Sequence, residues 1–453
     1  MRLGGRVLAA LHWFGGWPAA LLLVWAGIYL SVRSGFVPLR RPCSIFRLTL
    51  GSLFKWGQKE RSAAAGDISP FQALTTALAA TVGTGNIAGV ATAITLGGPG
   101  SIFWMWVSAF FGMTTKFAEI ALAVKFRVAS PEGTFAGGPM YTLRRGLGSP
   151  VLGTAYAFFG AAAAFGIGNL VQANSVAGVL KTAFGVPPLH TGILLALLVA
   201  LVILGGIRRI GKITEKLVPV MALFYVGGSL VVLLICYRHI GAALAEIVGS
   251  AFTGRAAAGG FAGASVLQAM RYGVMRGVFS NEAGLGSASI AHAVAETDHP
   301  VRQGLWGIVE VFLVSYIICT LTALVLLVTG AWTGALEGAS MTATAFSAVL
   351  PFSGNFIVST ALVLFAFSTL LSWSYYGEQC FEFIFRGGRF FYRLLWTAGI
   401  VIGALGGLRP VWAVADSLNA LMVLPNLVGL LGMSGLLAKL NREFWAQDPF
   451  IRS

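Results

Sequence analysis

The chain has little charge. Asp, Glu, Lys and Arg make up 10% of its 453 residues, against about 25% in an average soluble domain. A soluble protein of this length needs far more charge to cover its surface. Acidic residues are the scarcer kind, 16 against 31 basic ones. Histidine is confined to His12, His190, His239, His292 and His299, all near the ends of apolar stretches. Intramembrane hydrolysis needs a nucleophile and a base within hydrogen-bond reach. No acid pair or metal-ligand cluster falls at mid-depth either, so an enzyme is not expected. Cysteine is sparse too: Cys43, Cys236, Cys319 and Cys380 form no C-x-x-C pair and no Cys/His cluster. Neither a disulfide framework nor a zinc site is implied.

What is present is apolar. Hydrophobic and aromatic residues reach 57%, with 32 Phe and 12 Trp, which excludes disorder. The composition implies an all-α polytopic membrane protein. Eleven segments are long enough to span: 13–33, 70–95, 101–124, 151–182, 190–207, 213–237, 258–291, 304–330, 341–376, 391–407 and 410–437. Arg2 and Arg6 precede the first run, which continues past Trp17 to Tyr29 with no clear small-x-small cleavage site. It is read as a retained helix and not as a signal peptide.

A net charge of +15 invites a nucleic-acid reading. Sorting the basic residues by loop removes that need. Clusters such as Arg40, Arg41 and Arg47, Arg144 and Arg145, Arg208, Arg209, Lys212 and Lys216, and Arg386, Arg389 and Arg393 fall on one side. In all, 22 of the 31 basic residues do so. Basic loops stay cytoplasmic, so the N-terminus is expected outside and the C-terminus inside.

Two segments are unusual. The second contains Thr81-Val82-Gly83-Thr84-Gly85-Asn86, and the seventh contains Ser280-Asn281-Glu282-Ala283-Gly284-Leu285-Gly286-Ser287. Glycine costs about 1 kcal/mol per helical position relative to Ala. Close helix packing explains many of the 59 glycines, but it does not explain Asn86, Asn281 and Glu282 at membrane depth. Broken helices do, since unwound backbone is tolerated where it lines a cavity. The second segment opens a run of five helices, and the seventh opens another five of opposite direction. The expectation is therefore an extra N-terminal helix over 13–33 and an inverted repeat over 70–237 and 258–437, within one transporter domain. A broken helix offers N–H groups to an anion at one half and carbonyls to a hard cation at the other. A zwitterion with a coupling cation fits such a site. An ion channel is the alternative use of broken helices.

Long stretches at these residues match a known pattern: residues 73–119, GGPMYTL at 137–143, GIGNLVQANSV at 166–176, GVFSNEAGLGSASIAHA at 277–293, TDHPVRQG at 297–304 and FSTLLSWSYYGEQ at 367–379. The chain resembles the alanine or glycine:cation symporters, also called sodium:alanine symporters. The resemblance implies a LeuT-like five-plus-five fold and sodium- or proton-driven uptake of alanine, glycine or similar small amino acids across the cell membrane, with no organic cofactor. It implies that Thr84 and Gly85 offer N–H groups to the substrate carboxylate. Gln172, Phe279, Asn281, Thr369 and Trp373 would complete the substrate site. The carbonyls of Ala79, Val82 and Phe365, with the hydroxyls of Ser368 and Thr369, would hold sodium. Asn86 and Glu310 are candidates for a second ion or for coupling.

Each assignment has a plainer alternative. Ser368 and Thr369 can back-bond to their own helix, Gln172 can join helices, and Trp373 can anchor at an interface. Glu119 lies three residues after Lys116, so an ion pair on one helix face is expected. His292 and His299 are expected in solvated or helix-capping roles. The chain departs from the family pattern at Val314-Ser315, where an Asp followed by Thr is usual. Glu310, one turn earlier on the same face, either replaces that acid or is paired elsewhere. Ser289 stands for a usual Pro, and Gln379 for a common Lys. These departures bear on the coupling ion and substrate, not on the fold.

Overall fold

The computed structural model describes residues 17–53, 65–129, 134–253, 266–406 and 409–447. The beginnings of the first and seventh apolar segments (13–16 and 258–265) lie outside the described residues. So do Arg2, Arg6, His12, Lys55, Lys59, Arg61, Arg255 and Arg452.

The first segment forms α1 (Trp17–Ser34). The second is broken into α2 (Pro70–Thr81) and α3 (Val90–Gly97), joined through a π-helical turn at Gly85–Gly89 and bent by 55°. Local sequence starts α2 firmly. Pro70 sits in the first turn, and Ser69 and Gln72 form a reciprocal capping box with both bonds at 3.1 Å. α4 (Gly100–Lys125) follows, then a short hairpin of β1 (Val128–Ala129) and β2 (Phe135–Ala136). α5 (Pro150–Ala163) runs into α6 (Val171–Phe184) through a π-helical stretch at Ala164–Leu170. α7 (Pro188–Ile203) and α8 (Gly206–Ile235) complete the first five.

After α9 (Ile240–Thr253), the second broken helix comprises α10 (Val266–Asn281) and α11 (Ala288–His292). α12 (Pro300–Val311) and α13 (Thr320–Val328) flank a π-helical stretch at Phe312–Cys319. Then come α14 (Gly338–Val349), α15 (Gly354–Ile384), α16 (Arg389–Leu405), α17 (Arg409–Gly432) and α18 (Ser434–Gln447). The architecture is one extra helix followed by two units of five spans, each opening on an interrupted helix, with α9 between the units, α14 ahead of the long α15 and α18 at the end.

Three segment boundaries differ from the sequence reading. The single span expected over 341–376 is two helices, α14 and α15. Pro351 disfavours helical backbone at Leu350, which has φ −121° and ψ 75°, and the chain turns there. α9 was not anticipated. It buries only Ala243, Ile247 and Ala251, a narrow stripe too short to read as a span. The last span ends at Gly432, and the chain bends by 59° into α18. There Asn441 donates to the Ser34 carbonyl at 2.9 Å.

Packing explains much of the glycine. A Cβ at Gly273 of α10 would strike the Ser101 carbonyl of α4, and one at Gly304 or Gly307 of α12 would strike Phe117 or Ile120. Small residues let membrane helices approach closely. On the outside, α7 and α8 expose Leu194, Leu197, Leu201, Leu223 and Leu234, a surface suited to lipid. At one end the chain ahead of α2 is tied to the end of α11. Asp67 N–H donates to the Val294 carbonyl, and Glu296 N–H to the Ile68 carbonyl, both at 2.8 Å. Arg127 donates to the carbonyls of Ala65, Ala293 and Ala295.

Candidate substrate and ion site

The first break is stitched by Asn86. Its Oδ1 accepts from Gly83 N–H at 2.9 Å, and its Nδ2 donates to Cys319 Sγ at 3.4 Å. This spends Asn86 on holding the turn open. Thr84 and Gly85 open the resumed helix, where a helix start leaves N–H groups without intrahelical partners. Thr84 Oγ1 lies 3.5 Å from Gln172 Oε1, and Gln172 Nε2 donates to the Ile167 carbonyl at 3.0 Å across the π-helical stretch. The Phe279 ring covers Gly85, where an added Cβ would meet its Cε1 at 3.0 Å.

Oxygens converge on the other side of the break. Ser368 Oγ and Thr369 Oγ1 each lie within reach of two carbonyls: Ala79 at 3.1 and 3.2 Å, and Phe365 at 2.9 Å for both. All four residues are buried. Val82 ends α2 with ψ 86°, so its carbonyl turns out of the helical direction near −42°. The bonds to Phe365 are the back-bonding alternative. The bonds to Ala79 cross from α15 to α2 and are not explained by it.

The second break is held differently. Glu119 Oε1 accepts from Gly284 N–H at 2.9 Å, Gly286 N–H at 3.0 Å and Asn426 Nδ2 at 2.7 Å. Gly284 and Gly286 have φ of 99° and 77°, a region closed to most side chains. Asn281 Oδ1 accepts from Ala283 N–H at 3.0 Å, and its Nδ2 donates to Ser315 Oγ at 3.0 Å.

Between the breaks lies a small cavity of about 20 Å³. Gly83, Gly85, Gln172, Phe279, Thr369 and Trp373 line it, all but Gly83 anticipated as substrate residues, together with Ala80, Thr81, Ile167, Glu282, Leu285 and Asn419; Thr84 and Asn281, also anticipated, do not. Trp373 packs on Gly168, whose missing side chain makes room for the Trp373 Cβ. It donates to Glu282 Oε1 at 3.1 Å.

The sequence profile of the sodium:alanine symporter family matches residues 6–449. The chain belongs to the sodium:alanine symporter family. It is 50% identical to the sodium/alanine symporter AgcS of Methanococcus maripaludis, over 94% of this chain and 93% of the relative. It is 37% identical to the probable sodium/glutamine symporter GlnT of Bacillus subtilis, over 94% and 87%. Among solved structures, MhsT in complex with L-phenylalanine overlays with a TM-score of 0.59 at 13% identity, covering 83% of this chain and 98% of that one. That likeness concerns the fold alone. As a member of this family the protein is a multi-pass membrane transporter coupled to sodium, and not an enzyme.

In this family member several expectations from sequence need correction. Glu119 does not pair with Lys116. The i,i+3 spacing puts both on one face, but the bare N–H groups of Gly284 and Gly286 claim the carboxylate. Lys116 Nζ instead faces Glu310 Oε1 at 3.2 Å. His292 is not solvated. It is fully buried, with Nε2 3.4 Å from Glu310 Oε2 and Nδ1 2.8 Å from Gln303 Nε2. Glu310 therefore takes the paired-elsewhere alternative and does not face the cavity. Asn281 is spent on the second break and does not line the cavity. His299 does cap: its Nδ1 accepts from Val301 N–H at 3.2 Å. Glu282 and Asn419 were not anticipated on the cavity wall. Glu282 was visible as a costly charge beside the second G-x-G, whereas nothing near Asn419 distinguishes it.

Proposed function

We propose that the protein imports alanine, glycine or similar small neutral amino acids with sodium, by alternating access between the faces of the cell membrane. The observation that carries this is the convergence of buried oxygens at one break, beside a cavity that the same break lines. Gly83 and Gly85 of the first break line the cavity. The Ala79 and Phe365 carbonyls with Ser368 and Thr369 hydroxyls converge beside it, and the turned Val82 carbonyl is a fifth oxygen. Five oxygens suit a hard cation that binds and leaves. A carboxylate suits the N–H end. Trp373, Phe279, Ile167 and Leu285 crowd the remaining wall, which favours a side chain of alanine size. The N-terminus is placed outside and the C-terminus in the cytoplasm by the basic loops. The two five-helix units run over 70–237 and 258–437.

The energetics are adequate. One Na⁺ moving down a potential of about 100 mV supplies about 2.3 kcal/mol. A tenfold sodium gradient adds about 1.4 kcal/mol. Together they support roughly a 500-fold substrate gradient at one-to-one coupling. The test is uptake of radiolabelled alanine by proteoliposomes. Uptake should require an inward sodium gradient. Equal uptake with choline in place of sodium, at constant pH, would refute sodium coupling, and uptake driven by external acid would transfer the same site to protons.

A further inference from the structure

Glu282 occupies a position that a side chain reaches at a cost. Its backbone is left-handed, φ 55°, one of only two such non-glycine residues among those described. Two residues on, Gly284 supplies that conformation without a Cβ. A non-glycine residue there costs roughly 1–2 kcal/mol, so the carboxylate must be what the position requires. That carboxylate is buried, 4% exposed. Oε1 accepts from the Trp373 indole and Oε2 from the Ser287 hydroxyl. Both donors are neutral, and no described residue forms an ion pair with it; the one cation whose field reaches it, Lys116, is in contact with Glu310. A buried carboxylate with no cation in contact is strongly disfavoured, and it is relieved by a proton or by a cation that arrives from elsewhere.

The cavity is where one would arrive. Among the described residues, Glu282 is the only one of formal charge on its wall. Asn419, on the same wall, has an amide oxygen with no hydrogen-bond partner. Acceptors therefore sit on a cavity that Gly83 and Gly85 of the first break also line. We propose that Glu282 receives the substrate's ammonium group, with Asn419 as a second acceptor. Resting on the symport reading above, this makes Glu282 the residue that distinguishes amino acids from monocarboxylates of the same size. A lactate would place a hydroxyl, and a propionate only a hydrogen, against an otherwise unpaired carboxylate, and both would be rejected.

The test measures binding apart from transport, with radiolabelled L-alanine on purified protein in saturating sodium and L-lactate as competitor. Wild type should prefer alanine at least ~100-fold, the scale of a charge-assisted hydrogen bond. Glu282→Gln should weaken alanine ~100-fold while lactate binding holds or improves, so that the preference shrinks below ~10-fold. Glu282→Asp keeps the charge and should keep lactate excluded, and it serves if the Gln variant does not fold. A wild type that binds lactate as tightly as alanine would overturn the proposal. So would a Gln variant in which both ligands weaken in parallel, the mark of a structural role, or an Asp variant that accepts lactate. Wild type that binds alanine but shows no sodium-driven uptake would overturn the symport reading and leave the Glu282 comparison standing.

Discussion

Replacing Thr369 by valine keeps the side-chain shape and removes one oxygen. In the structure that oxygen lies 3.2 Å from the Ala79 carbonyl and 2.9 Å from the Phe365 carbonyl, and the residue is 1% exposed. Ser368 still serves both carbonyls at 3.1 and 2.9 Å, so neither is orphaned. The loss to stability is that of one net hydrogen bond, about 1 kcal/mol. The loss to an ion is larger, because a cation gives up one of five oxygens in a dry site. Taking a charge-assisted contact as about 1.5–3 kcal/mol, the half-saturating sodium concentration should rise roughly 10- to 100-fold. The assay is alanine uptake by proteoliposomes across a sodium series at constant ionic strength. Alanine affinity at saturating sodium should change less than the sodium term does. Sodium dependence equal to wild type, with normal protein in the vesicles, would remove Thr369 from the ion site. An alanine effect larger than the sodium effect would move it to the substrate alone.

Further outcomes follow from the same geometry. Lys116→Met leaves Glu310 buried without its 3.2 Å partner, which should destabilise the protein by about 3–5 kcal/mol. A large fall in melting temperature in detergent should show it, and Lys116→Met with Glu310→Leu should recover much of the loss. An unchanged melt for the single variant would refute the pairing. Gly168→Ala drives a Cβ into Trp373, and overpacking of this kind costs about 1–3 kcal/mol. Alanine uptake should fall by about tenfold or more at matched protein levels, and wild-type uptake would show that the Trp373 wall is not part of the site.

The breaks were legible because glycine and polar residues at mid-span violate two local rules at once. Gly83 and Gly85 weaken the helix, and Asn86 needs a polar partner. Their positions survive in the structure, as does the convergence of Ser368 and Thr369 on α2. The fate of individual charges was not legible. Lys116 and Glu119 share a helix face by spacing, yet each is claimed by a different element, α12 and the second break. His292 was expected to be solvated or to cap a helix, yet α11 ends with it inside the protein. Such choices depend on which buried group lacks a partner, and that is known only after the helices meet.

The sequence by itself determined the membrane class, the number of apolar segments within the small corrections at Pro351, Ile240–Thr253 and Gly432, and the two interruptions. These follow from composition and periodicity, which act locally along the chain. Tertiary structure decided which groups face the cavity. Glu282 and Asn419 line it, whereas Asn281 and Glu310 do not. It also decided that Glu119 would hold the second break. The physical reason is that an unsatisfied N–H or an uncompensated carboxylate is costly only when buried, and burial is a property of the packed helices, not of any segment.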